Sequence, residues 1–154
     1  RQDLLEEAIG YKVNFVQDNE SKSIKGVLRG LHYQLPPYTQ AKLVRVIEGN
    51  VLDVAVDIRK SSPTFGQHVS LELTAQNKHQ VFVPHGFAHG FVVLSDSATF
   101  AYKVNNYYAP EHDRGIAFDD KELKIDWQLL AEELLLSDKD TANPSLANAK
   151  DLFE

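Results

Sequence analysis

The chain has 154 residues, 43% of them hydrophobic and 25% charged, and a formal net charge of −6: enough for one well-buried domain, residues 1–154, and too little for two ordinary ones. That charge, with no Lys/Arg run, argues against nucleic acid as a partner, because phosphate binding needs a concentrated basic surface. The absence of cysteine excludes disulfides and thiolate ligands and suits a reducing cytoplasm, and no apolar run approaches the roughly 20 residues of a membrane helix, so no membrane partner is expected.

The first element, "RQDLLEEAIG", has the apolar spacing of a helix already under way and closes on Gly10, a C′ position. A chain that begins there, without methionine, is expected to lack an N-terminal piece. Strand patterns rich in Val, Ile, Phe and Tyr follow: "YKVNFVQ", "GVLRGLHYQ", "AKLVRVIEG", "VLDVAVDIR", "HVSLELT", "QVFVP", "HGFVVLS" and "ATFAYKV". Gly49-Asn50 predicts a two-residue hairpin joining Lys42–Glu48 to Val51–Arg59. In the second arm Leu52, Val54, Val56 and Ile58 share one face, and Asp53, Ala55, Asp57 and Arg59 the other; either face could line a barrel interior. "SSPTFGQ" and "SDSA" read as loops, and Asp126–Leu136 is leucine-rich and ambiguous. Together these elements predict an all-β barrel or two-sheet jelly roll, with short peripheral helices near the two ends.

Chemistry-bearing side chains are scattered along this framework. His32, His85 and His89 lie in strand-like or Gly/Pro-framed contexts, where a packed histidine with satisfied nitrogens is as good a reading as a functional one. "PHGFAHGF" spaces two histidines as many zinc sites do, but Pro84, Gly86 and Gly90 speak against the helix that gives this spacing its meaning, so no metal is expected. Among the acids Asp53, Asp57, Asp119, Asp120, Asp138 and Asp140, most would be turn-formers or caps. An acid that holds a histidine is different, because a carboxylate on one ring nitrogen raises the basicity of the other. Tyr102, Tyr107 and Tyr108 fit rim packing, and a phenol can also donate a proton. Lys42 fits either a snorkelling surface side chain or an oxyanion partner at a barrel mouth.

The order of "KGVLRGLHYQ", "QAKLVRVIEGNVLDVAVDIRKSSPTFG", "VPHGFAHGF", "YKVNNYYAPEHDRGI" and "IDW…LLSDKD", from about Arg1 to Pro144, closely resembles the dTDP-4-dehydrorhamnose 3,5-epimerase family of the cupin superfamily. The resemblance implies a jelly-roll barrel and a dTDP-4-keto-6-deoxyhexose substrate, inverted at C3 and C5 through enolates. It also implies no cofactor and a cytoplasmic homodimer with strands exchanged between subunits. Carried over by motif, His32 is expected as the base, Asp140 as its carboxylate partner, Lys42 as the enolate stabiliser and Tyr102 as the acid on the opposite face. Arg29 is expected near the diphosphate, and Gln17, Asn19, His89 and Tyr108 around the sugar. One geometric demand follows: Arg29 and His32 lie three apart, so strand parity puts them on opposite faces unless the register breaks, and Gly30 is the expected bulge. The competing readings are a 3- or 5-epimerase, a non-catalytic nucleotide-sugar-binding module and a metal-dependent cupin oxygenase.

Overall fold

The alternating segments become nine strands in a computed structural model that describes all 154 residues. Helix α1 (Gln2–Ile9) ends on Gly10 with φ 82°, the left-handed cap expected from the sequence. Eight strands follow: β1 (Gln17–Ile24), β2 (Leu28–Gln34), β3 (Lys42–Glu48), β4 (Asn50–Asp57), β5 (His68–Thr74), β6 (Gln80–Val83), β7 (Phe87–Val93) and β8 (Ser97–Val104). The ninth, β9 (Asp113–Gly115), precedes the short helix α2 (Asp138–Thr141). A four-stranded sheet runs β1-β8-β3-β6 and a five-stranded sheet runs β5-β4-β7-β2-β9. Every neighbouring pair is antiparallel.

The two faces of β4 explain the layering. Leu52, Val54, Val56 and Ile58 point out of the five-stranded sheet and join Leu28, Leu31, Ala88 and Val92 in one apolar layer. The C-terminal segment covers that layer with Ile116, Leu123, Trp127 and Leu146. Each fully buried Leu, Val or Ile there contributes roughly 1.5–3 kcal/mol. Trp127 Nε1 donates to the Phe118 carbonyl at 2.9 Å, so the indole is buried without an orphaned donor. The other face of β4 carries Val51, Asp53 and Ala55 into the space between the sheets, where Val44, Val46, Leu73, Val83, Phe91, Val93 and Phe100 make a smaller core.

Two expectations change. The strand predicted at "YKVNFVQ" lies further along the chain, in the polar segment Gln17–Ile24. This is an edge strand with no buried residue, held by eight register positions against β8, so ladder bonding substitutes for apolar alternation. Gly49-Asn50 is not a hairpin turn, because β3 and β4 lie in different sheets. A two-residue type I′ turn needs positive φ at both positions. Only Gly49 has it, at 78°, and Asn50 already begins β4. Gly49 is instead a corner where the chain changes sheets, and a Cβ there would fall 2.1 Å from the Ser97 carbonyl oxygen. The segment Asp126–Leu136, ambiguous in sequence, holds a single 3₁₀ turn, Ala131–Glu133, and a parallel bridge from Leu135 to Val27.

Candidate functional site

Register brings the chemistry to the space between the sheets. On the four-stranded sheet, Gln17 and Lys42 flank Val104, and one step along the ladder Asn19 and Val44 flank Tyr102. On the five-stranded sheet, Arg29, Phe91 and Asp53 form one row, and His32, His89 and Ala55 the next. Two connected lobes of about 310 and 350 Å³ share His32, Lys42 and Tyr102. One lobe continues to Arg29, His89 and Phe100, and the other to Gln17, Asn19, Tyr108, Asp113 and Lys139. Thus all the expected site residues line this cleft except Asp140, which stands behind His32.

The predicted bulge exists and lies at Gly30. Arg29 pairs with Phe91 and His32 with His89, so three steps on β2 span two on β7 and both side chains face the cleft. Leu28 and Leu31 correspondingly share the outer layer. Gly30 has φ 119°, and the Gly30–Leu31 peptide is cis. A Cβ on Gly30 would lie 2.6 Å from both Gly90 Cα and the His89 carbonyl oxygen. Only glycine fits a backbone approach of that kind.

His32 Nε2 lies 2.6 Å from Asp140 Oδ1, with the His32 side chain 28% and the Asp140 side chain 1% exposed. The carboxylate sits off the ring's hydrogen-bonding axis, so the contact is a close pairing rather than an aligned bond. Ser137 Oγ donates to Asp140 Oδ2 at 2.6 Å, and the Gly30 N–H reaches Oδ1 at 3.3 Å. Burial pushes the Asp140 carboxyl up, but the contacts from His32 and Ser137 outweigh it and hold the group below the usual carboxylate range. Asp140 is therefore a fixed anion beside one His32 ring nitrogen.

A second pair, His89 Nε2 to Asp53 Oδ2 at 2.8 Å, is more deeply buried, at 6% and 1% side-chain exposure. Lys42 projects nearby from β3. Burial pushes its ammonium down to about 8, against the pull of Asp53 and Asp113. Burial raises the Tyr102 phenol, which keeps its proton in place. Arg29 is exposed and donates only to the Leu28 carbonyl, at 3.1 Å, with no carboxylate paired to it. Tyr108 OH donates to Asp113 Oδ2 at 3.0 Å, and Lys139 closes on the same oxygen. Gln17 Nε2 donates to Asn19 Oδ1 at 2.6 Å.

Sequence reasoning passed over Asp113 and Lys139, and weighed Asp53 among the acids without finding its partner. Parity places Asp53 on the polar face of β4, but nothing in the chain order reveals that His89 lies in the next row. The remaining acids have structural employment or none. Asp57 takes bonds from Arg59, Ser62 and Thr64; burial opposes ionisation there, yet these donors carry the carboxyl well below its usual range. Asp120 accepts three backbone N–H groups, from Glu122, Leu123 and Leu146, while Asp119 and Asp138 are exposed. His85 is exposed and contacts Asn105. No three His, Asp or Glu side chains converge as a metal-ligand group.

Two facing antiparallel sheets with a polar cleft between them define a cupin-like jelly roll. The family model for dTDP-4-dehydrorhamnose 3,5-epimerase matches residues 1–148, and the chain belongs to that family, whose members are isomerases. The Shigella flexneri enzyme of that name is 59% identical over 148 residues, 96% of this chain and 81% of its own length. The crystal structure of the 3,5-epimerase from Legionella pneumophila, in complex with dTDP-4-keto-L-rhamnose, matches with a TM-score of 0.94 at 52% identity. That match covers 100% of this chain and 82% of the other. A 3′-monoepimerase from Streptomyces bikiniensis, in complex with dTDP-quinovose, has a TM-score of 0.89 at 35% identity over 97% of this chain and 75% of its own.

Proposed function

We propose that residues 1–154 act as one dTDP-4-dehydrorhamnose 3,5-epimerase domain, inverting C3 and C5 of dTDP-4-keto-6-deoxy-D-glucose. The observation that carries this reading is that His32 and Tyr102 enter one cleft from opposite sheets, with Lys42 lining the same space. Both target carbons flank the C4 ketone, so removing either proton gives an enolate whose charge rests on the C4 oxygen. His32, paired with Asp140, takes the proton, and the Lys42 ammonium stabilises the oxyanion while it exists. Tyr102 returns a proton to the opposite face at C5, which inverts the centre with no change of oxidation state. Arg29, unpaired on its own sheet, is suited to clamp the diphosphate. Gln17, Asn19, His89 and Tyr108 surround the sugar.

The test is proton NMR of the 4-keto-6-deoxyglucose substrate in heavy water, coupled to a rhamnose-forming reductase. The protein should incorporate deuterium at C3 and C5, and His32→Asn should abolish uptake at both. Exchange at the unsubstituted rate in His32→Asn removes the base assignment, and uptake at a single carbon identifies a mono-epimerase. We also place the chain in the cytoplasm, where the absence of cysteine is at home, and in a homodimer. The unpaired outer edge of β1 supports the homodimer, since its backbone groups can extend a sheet across a subunit boundary.

A further inference from the structure

Four amide side chains connect the β2–β3 loop to the segment after β8 at the rim of the cleft. Asn105 Oδ1 accepts from the Ala41 N–H at 2.7 Å, Gln40 Nε2 donates to the Asn106 carbonyl at 2.8 Å, and Asn106 Nδ2 donates to the Pro37 carbonyl at 3.1 Å. The fourth, Gln34, is the innermost and is 4% exposed. Its Nε2 donates to the carbonyls of Tyr38 at 2.6 Å and Tyr107 at 3.1 Å, and its Oε1 accepts from the Ala109 N–H at 2.7 Å. One side chain thereby holds the backbone on both sides of Tyr108, whose own ring is largely exposed and otherwise tied only to Asp113.

We infer that Gln34 is a positioning residue, fixing the Tyr107–Ala109 segment so that Tyr108 stays at the substrate cleft. The inference rests on the epimerase reading only in taking that cleft as the sugar site. The chemistry selects an amide: two carbonyls require a donor and one N–H requires an acceptor, and glutamine supplies both without charge. A glutamate of the same shape would turn an oxygen toward two carbonyl oxygens. Its protonated form can donate to one of them, and its ionised form to neither. The titratable groups facing this position are His32 on the same strand face, Asp113 opposite on β9, Lys42, Tyr108 and Lys139 in the cleft, and His112 behind the loop. Dividing each variant's constants by those of the unsubstituted protein at the same pH removes their shared contribution.

The experiment compares Gln34→Glu and the volume-conserving Gln34→Met with the unsubstituted protein between about pH 5.5 and 8, a window above the ordinary glutamate pKa into which burial raises it. Losing these buried bonds should raise KM about tenfold for Gln34→Glu at pH 8. The KM ratio should fall toward one at the acid end, with the kcat ratio flat. Gln34→Met should show a raised KM across the window with no recovery in acid. Exchange of the Ala109 amide should speed up in Gln34→Met, a readout that does not require catalysis. A KM ratio of one throughout, a loss confined to kcat, or unchanged Ala109 exchange overturns the inference. If the unsubstituted protein does not epimerise, the functional reading and this inference fall together; if it does and the ratios stay at one, only the inference falls.

Discussion

Lys42 shows how a single side chain trades stability for chemistry. Its folded pKa of about 8 lies below its ordinary 10.5 because burial disfavours the charge. Between those two values the unfolded chain binds more protons than the folded one, so stability rises with pH across that window, and below about 8 the charged lysine is a burden on the fold. In the proposed mechanism the same charge steadies the enolate. The kcat of the protein should therefore fall as pH rises through about 8. Lys42→Met should lose about 10²–10³ in kcat while raising the thermal midpoint at pH 7. A pH–rate profile and a melting curve check both halves, and a melting point lowered by Lys42→Met would contradict the argument. Lys42 was legible in the sequence as a cation entering an apolar strand. Its neighbour Asp53 was not, because a carboxylate's partner across a sheet has no signature in sequence spacing.

The decisive element is β2. Its parity problem, Arg29 and His32 three apart yet needed on one face, could be stated from sequence, and Gly30 could be named as the place where the register breaks. Gly30→Ala should cost roughly 2–4 kcal/mol, because the added Cβ meets the backbone of β7 and the residue keeps a φ that alanine rarely adopts. The surviving folded protein should exchange deuterium far more slowly than the unsubstituted protein, since the bulge is what turns His32 into the cleft beside Asp140. Urea denaturation together with the heavy-water assay would register both effects. Elsewhere strand pattern misled. Gly49-Asn50 has the composition of a hairpin turn, but pairing is decided by which sheet each strand joins, and β3 and β4 join opposite sheets whereas β4 and β5 share one. The polar strand β1 was invisible for the converse reason, since its stability comes from backbone pairing rather than from side-chain burial.

At the scale of the molecule, the carboxylate behind His32 arrives from the end of the chain. Asp140 belongs to the C-terminal segment that covers the five-stranded sheet, and Leu146 anchors that segment by its side chain in the outer layer and its N–H on Asp120 at 2.6 Å. Leu146→Ala should lower stability by about 3 kcal/mol. It should also lower kcat at temperatures where far-UV circular dichroism still reports intact sheets, because the cover loosens before the strands separate. Loss of activity only in step with global unfolding would mean that the cover and the sheets melt as one unit. Sequence pattern exposed the apolar stripe of β4, but it could not say which side of the sheet was the interior of the barrel.

The outer apolar layer has a practical consequence for anyone modifying this enzyme. Because the space between the sheets divides between a polar cleft and the smaller of the two apolar cores, thermal robustness resides mainly on the far side of the five-stranded sheet, behind the strand that bears His32. Substitutions that tighten the contacts of Leu123, Trp127 and Leu146 can therefore harden the protein against heat while the reacting groups keep their places, whereas packing the cleft more densely would exchange turnover for durability.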